Sequence, residues 1–259
     1  MENRFFPNIK NRFGFGMMRL PMNGEEVDYE QTEKMVDEFM AAGFNYFDTA
    51  HVYIKGQSEK ALKKCLCSRY PRESYVLTTK LTDVCFTTKE DIRRVFEEQL
   101  EACGVEYFDF YLMHALGERR LAHYEAEDAF EIAKELKAEG KIRHIGMSFH
   151  DGADALELIL SRHPEIEVVQ IQLNYLDYLN PAIEGQRLVE ICEKYGKPMI
   201  VMEPVKGGQL VNLPEDAQKV YTELNEKNGT QFSNASYAIR YTQGFENVMM
   251  TLSGMSSIE

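Results

Sequence analysis

Short runs rich in β-branched and aromatic residues recur along the chain, and apolar residues at helical spacing fill the intervals between them. The runs are "RFGFGMM" (12–18), "FNYFDTA" (44–50), "YVLTTK" (75–80), "YFDFYLMH" (107–114), "HIGMSF" (144–149), "VVQIQLNY" (168–175), "MIVMEP" (199–204) and "VMMTLSG" (248–254). Most begin about 30 residues after the one before, the length of a strand–helix–strand unit. In the intervals, "YEQTEKMVDEFMAAG" runs into a glycine stop, and "TTKEDIRRVFEEQLEACG" opens on Thr88 with an acidic first turn. "EDAFEIAKELKAEGK" and "ADALELILSRH" carry the same helical period.

Strands alternating with helices predict a parallel sheet. Eight such units predict an α/β chain folded as a single (β/α)8 TIM barrel domain over residues 1–259, with an open doubly wound sheet as the alternative. An open sheet holding a dinucleotide calls for G-x-G-x-x-G after its first strand. "GFGMMRLP" offers two of those glycines and no helix directly after them, so the barrel is the expected fold. The eighth run lies close to Glu259, and the barrel is therefore expected to lack its last C-terminal helix.

The chain has 259 residues, 44% hydrophobic and 27% charged, enough for a sizeable core in one barrel. A formal net charge of −13 repels phosphate backbones and argues against a nucleic-acid partner. It does not exclude a nucleotide cofactor, because local backbone amides can hold phosphate. No run approaches the ~20 apolar residues that cross a bilayer, and "MENRFFPNIKNRFGFG" lacks the apolar segment of a signal peptide. A cytoplasmic protein with no membrane partner is expected. Cysteines at 65, 67, 85, 103 and 192 share no metal-site spacing and read as reduced thiols, with no metal in this chain.

Candidate chemistry lies where the apolar runs stop. In such a barrel the active site forms at the C-terminal ends of the strands. Asp48 ends the second run, Lys80 the third and His114 the fourth. Ser148 lies near the end of the fifth, with Gln170 and Asn174 on the sixth. A lone buried polar residue is often just hydrogen-bonded, but Asp, Lys and His at three consecutive strand ends form a constellation. Tyr53 follows Asp48 by five residues. His51 is an alternative proton carrier, while His123, His144, His150 and His163 read as solvated or locally bonded. Met147, Met202, Met249, Met250 and Met255 read as barrel filling.

With these residues the chain resembles the aldo-keto reductases over nearly its whole length. "FDTAHVYIKGQSE" resembles the family segment that carries Asp48 and Tyr53, "TTKL" supplies Lys80 and "YLMHAL" His114. The resemblance implies an NAD(P)H-dependent oxidoreductase that reduces a small-molecule aldehyde or ketone. Tyr53 is then the general acid, and Lys80 favours its phenolate and lowers its pKa. Asp48 pairs with Lys80, and His114 orients the carbonyl. The resemblance further implies that Ser148 and Gln170 hold the nicotinamide carboxamide and Met202 packs on its ring. Backbone from Val205 through Gly207 to Leu210 would surround the pyrophosphate. Ser253, Gly254, Met255, Ser256 and Ser257 would take the 2′-phosphate or adenosine ribose, with NADP(H) ahead of NAD(H).

The chain departs from the family at several points. Phe149 follows the fifth-strand serine where asparagine is common, and Met202 stands where an aromatic is common. Glu203 brings an acid close to the expected phosphates, and the loop after the eighth run has no Lys or Arg for a 2′-phosphate. "FHDGADAL" and "MEPVKGGQL" resemble bacterial members that carry a C-terminal iron–sulfur segment with clustered cysteines, which these residues do not contain. The alternative function is a nucleotide-binding redox-sensing or regulatory subunit on the same barrel with little turnover. The sequence assigns neither the carbonyl substrate nor an oligomeric state.

Overall fold

The alternating strand and helix signals close into a barrel. The structure is a computed structural model that describes residues 3–258, so both ends of the expected domain, residues 1, 2 and 259, lie outside the described residues. Eight parallel strands pair in the order β1-β8-β7-β6-β5-β4-β3-β2 and back to β1. They are β1 (Phe13–Gly16), β2 (Tyr46–Asp48), β3 (Val76–Leu81), β4 (Phe108–Leu116), β5 (Ile142–Phe149), β6 (Val168–Gln172), β7 (Met199–Met202) and β8 (Val248–Gly254). Each falls within or beside one of the eight sequence runs. A short antiparallel hairpin, Met22–Asn23 with Glu26–Val27, precedes the first helix.

Nine helices surround the barrel among the described residues. They are α1 (Tyr29–Ala41), α2 (Gln57–Leu62), α3 (Lys89–Cys103), α4 (Glu118–Ala126), α5 (Ala129–Ala138), α6 (Ala153–Arg162), α7 (Gly185–Lys194), α8 (Glu215–Asn228) and α9 (Asn234–Gln243). Thr88 caps α3 through a reciprocal exchange with Asp91, and Gly104 ends the same helix in a left-handed conformation. Of the nine, α1, α3, α5 and α6 carry the sequence patterns quoted above. The outlier is α8, which buries none of its residues and so needs no apolar stripe. No helix follows β8 among the described residues.

Period-2 alternation sorts the wall. Strand register puts Tyr46 beside Val76, Thr78 beside Phe110, Leu112 beside Gly146, and Gln170 beside Ile200. Tyr46, Val76, Phe110, Leu112, Val168, Ile200, Met250 and Leu252 form one buried cluster inside the barrel. Phe6 and Ile9 join that cluster from the N-terminal segment. Phe6 packs edge-on against Phe110 and His144, with ring centroids 4.9 and 4.6 Å away. Asn3 ties the segment down by donating to the carbonyl of Met249 at 2.8 Å. The N-terminal end of the barrel is thereby sealed with side chains. The larger cluster packs the outer face of the strands against the helices.

Space inside is tight at Gly146. A Cβ there would lie 2.5 Å from Leu112 Cδ2, 2.6 Å from Val168 Cγ1 and 2.8 Å from the Val168 carbonyl oxygen. At Gly16, nearer the C-terminal end, the closest atom would be 3.4 Å away. Gly146→Ala is therefore expected to lower stability by about 2 kcal/mol through overpacking, with Gly16→Ala costing under about 1 kcal/mol. Denaturant unfolding of the two variants measures the difference, and equal midpoints would contradict the packing argument.

Candidate active site

Inward alternation along β3 brings Val76, Thr78 and Lys80 to the interior, with Lys80 highest at the C-terminal end. The same alternation brings Tyr46 and Asp48 inward on β2. Lys80 has no solvent exposure. Its Nζ donates to Asp48 Oδ1 at 2.6 Å and to the carbonyl of Thr49 at 2.7 Å. Gln170 Nε2 donates to the other Asp48 oxygen at 3.3 Å. Burial pulls the Lys80 pKa down, but the Asp48 carboxylate and the hydrogen bonds to its neighbours outweigh it, so its pKa is raised and it stays an ammonium. Burial pushes the Asp48 carboxyl up, against the opposing pull of Lys80.

Tyr53 enters from the loop after β2. Its amide donates to the carbonyl of Ala50 at 3.0 Å and closes a turn through His51 and Val52. Ile54 (φ 50°), Lys55 (φ 54°) and Gly56 (φ 82°) then run left-handed in succession, a costly path for a β-branched residue. The path turns the Tyr53 ring inward, with Lys80 Nζ 4.8 Å from its centroid. The tyrosine expected from the sequence thus meets the ammonium. Its pKa, however, is raised: burial pushes it up more than Lys80 pulls it down, and Asp48 adds to the rise. The expected lowering is outweighed by desolvation, and the group is a fully protonated phenol at neutral pH.

His114 faces Tyr53 edge-on, with ring centroids 5.7 Å apart. Thr82 Oγ1 lies 2.6 Å from its Nδ1, and the Tyr124 hydroxyl approaches its backbone carbonyl at 3.1 Å. Burial, with Lys80 nearby, drives the imidazole pKa down to about 3, so the ring is neutral. Just beyond it β4 shifts register, Ala115 takes a positive φ of 50°, and the Ala115 amide donates to Ser148 Oγ at 2.7 Å. Ser148 and Gln170 are register partners on β5 and β6, both buried beside this group.

Asn174 behaves differently from its neighbours. It lies past the end of β6, and its amide donates to Asp177 Oδ2 at 2.8 Å and to the Glu203 carbonyl at 3.1 Å. Asp177 in turn pairs with Lys206. This polar cluster fastens the loop after β7. His51 Nδ1 is engaged with Glu59 Oε2 at 2.8 Å, and the rings of His123, His144 and His163 each have a local hydrogen-bond partner.

The expected dinucleotide contacts flank the same end. Met202 ends β7, half-buried. In the following turn Lys206, Gly207 and Gly208 are left-handed. The amides of Gly208, Gln209 and Leu210 bond to carbonyls of that turn, and Leu210 is buried. Val205 and Gly207 remain as the amides suited to a phosphate. Ser253 and Gly254 end β8 beside β1, Met255 packs on the core, Ser256 donates to the Arg19 carbonyl at 3.0 Å, and Ser257 is exposed.

Arg19 is a residue that the strand-end reading missed. A Cβ on Gly207 would lie 3.7 Å from its Nη1, and one on Gly254 3.6 Å from its Cβ. Arg19 thus spans the loops after β7 and β8, and among the described residues its guanidinium has no ion-pair partner. The loop after β8 has no Lys or Arg, and the loop after β1 brings Arg19 beside it; "GFGMMRLP" contains the residue without showing what it meets. A glycine-lined turn beneath a free guanidinium is suited to a phosphate group. No group of His, Cys, Asp and Glu suited to a metal ion is found among the described residues.

A model described as the aldo/keto reductase family matches residues 12–259. The "9,11-endoperoxide prostaglandin H2 reductase" of Trypanosoma cruzi is 27% identical over 199 residues, 74% of this chain and 64% of that protein. The "NADH-specific methylglyoxal reductase" of Escherichia coli is 27% identical over 220 residues, 77% of this chain and 65% of that protein. The chain thus matches just under two thirds of the length of these relatives. The solved holo form of aldo-keto reductase AKR11C1 from Bacillus halodurans superposes with a TM-score of 0.76 at 26% identity, covering 95% of this chain and 83% of that one. An aldo-keto reductase from Klebsiella pneumoniae, solved with NADPH, shares the fold with a TM-score of 0.74 at 20% identity, over 95% of this chain and 81% of that one.

Removing one member of the buried ion pair strands the other. Lys80→Met is expected to cost about 3–5 kcal/mol, with Asp48→Asn/Lys80→Met recovering most of it. Without its cation, Asp48 has a folded pKa far above its unfolded value, so the cost of Lys80→Met grows as pH rises above the usual carboxylate range. Denaturant unfolding at pH 5 and pH 8 reads both effects; a pH-independent loss would argue against a charged Asp48.

Proposed function

Because the chain belongs to the aldo/keto reductase family, we propose that it is an NAD(P)H-dependent oxidoreductase that reduces an aldehyde or ketone to an alcohol. The observation that carries this reading is the meeting of Tyr53, Lys80, Asp48 and His114 at the C-terminal end of the barrel. A bound nicotinamide supplies the hydride to the carbonyl carbon. The chain's own residues handle the oxygen. Tyr53 gives its phenolic proton to the carbonyl oxygen as negative charge develops there. The phenolate left behind is stabilised by the Lys80 ammonium, which Asp48 keeps charged in a buried setting. A neutral His114 accepts from Thr82 at Nδ1 and donates from Nε2, which suits it to hold the same oxygen in line.

Ser148 and Gln170 are the side chains suited to the nicotinamide carboxamide, with Met202 against the ring. Val205, Gly207 and Arg19 are suited to the phosphates, and the residues from Ser253 to Ser257 to the adenosine end. Arg19 favours NADP(H) over NAD(H), in keeping with the NADPH in the Klebsiella structure, although the E. coli relative is named as NADH-specific.

Cofactor oxidation against small aldehydes and ketones, including methylglyoxal and 4-nitrobenzaldehyde, tests the reading. Tyr53→Phe is expected to lower kcat by about a hundredfold or more with dinucleotide affinity retained. Absence of turnover in the intact protein, with nucleotide still bound, supports the regulatory alternative instead. Arg19→Met is expected to weaken NADPH binding by about tenfold or more and NADH binding less. Equal losses assign the guanidinium to the pyrophosphate and remove the case for NADP(H).

A further inference from the structure

Beside these four residues lies a second, fully buried carboxylate that the chemistry above does not use. Glu59, on α2, has no solvent exposure. Its Oε2 meets His51 Nδ1 at 2.8 Å, and its Oε1 accepts from Thr79 Oγ1 at 2.9 Å and from Gln99 Nε2 at 3.3 Å. Each partner leads back to a reacting group. His51 sits inside the turn that Tyr53 closes on Ala50. Thr79 precedes Lys80 on β3, and Gln99 Nε2 also donates to the Lys80 carbonyl at 3.0 Å. Gln99 is itself held by the Tyr111 hydroxyl at 2.9 Å. One side chain therefore joins α2, α3, β3 and the Tyr53 turn.

We propose that Glu59 and His51 are positioning residues: together they lock the turn that carries Tyr53 to the strand that carries Lys80, most firmly when His51 is an imidazolium. The inference rests on the reductase reading. Thr79 and Gln99 are neutral donors, so His51 is the cation that can neutralise this carboxylate. A buried carboxylate held only by neutral donors is poorly compensated. Protonation of His51 places a full opposite charge 2.8 Å from the carboxylate oxygen and so strengthens the bond.

The charges facing His51 agree. From α2, Glu59 raises its pKa above the ordinary value, chiefly through the hydrogen bond; burial opposes this. From α3, Glu98 raises it and Arg94 lowers it. Arg94 is itself engaged with Asp91 and Glu98 at 2.9 and 2.8 Å. With a folded pKa above the unfolded one, the stabilisation is full below the ordinary histidine value and is lost as pH rises through the raised value. The lock loosens on the alkaline side.

The test compares wild type, His51→Gln and Glu59→Gln between about pH 6 and 9. In wild type, kcat is expected to fall about tenfold across this range while the Kd for NADPH holds steady, as expected from a small misplacement of the acid. His51→Gln is expected to start at the lower kcat and lose the pH dependence. In Glu59→Gln the fall moves to lower pH. An unchanged profile in His51→Gln, or a loss confined to the Kd for NADPH, overturns the proposal. So does a Glu59→Gln variant that is less stable but keeps the wild-type profile. A second readout needs no turnover: amide hydrogen exchange at Tyr53, corrected for intrinsic pH dependence, is expected to be slow at pH 6 in wild type and faster in both variants. Equal protection in all three overturns the proposal even if no carbonyl is reduced, whereas a failed reductase reading shows as absent wild-type turnover.

Discussion

An ammonium cannot sit unpaired in the dry interior of a barrel, and Lys80 has no exposure to water. Asp48 and the Thr49 carbonyl compensate it from the neighbouring strand, and this requirement fixes much of the surroundings. The two strand ends must stay in register, Thr49 carrying the ladder one residue further through its amide to the Thr78 carbonyl, and the turn from Ala50 to Tyr53 follows directly. That turn carries the Tyr53 phenol into the same space. A buried ion pair of this kind adds little to stability in itself. Its effect is to hold a positive charge at one point whether or not anything is bound there.

The two ends of the barrel are built on different chemistry. At the N-terminal end Phe6 and Ile9 fill the interior, and the acid found there, Asp109, is fully buried near the start of β4. It is paired with Arg72 at 2.7 Å and Arg143 at 3.0 Å and also accepts the Leu77 amide. Its bonding capacity is spent within the wall. At the C-terminal end Tyr53, His114 and Gln170 are only partly engaged. Apolar packing and a salt-bridged acid close one end of the barrel, and partly engaged polar groups gather where the strands deliver them.

Much of this was legible in the sequence because alternation and spacing are local properties. The eight runs gave eight strands, and the polar residues ending β2, β3 and β4 meet as their inward parity requires. "YFD" and "FDF" look equally suited to carry an acid; position along the strand separates Asp48, at the C-terminal end of β2, from Asp109, near the start of β4. What stayed hidden depends on distant segments. Asn174 read as another strand-end polar group, yet β6 ends before it and its amide goes to the loop. The direction of the Tyr53 pKa depends on how far burial offsets a nearby ammonium, which no motif records. Arg19 is remote in sequence from Gly207 and Gly254, and only closure of β1 against β8 brings the three together.

Phe6 and Ile9 close the N-terminal end of the barrel, so Lys80 is approached from the C-terminal end. On the proposed reading, a nicotinamide and a carbonyl that meet near Lys80 would share that end. The one lying deeper would then arrive before its companion and depart after it.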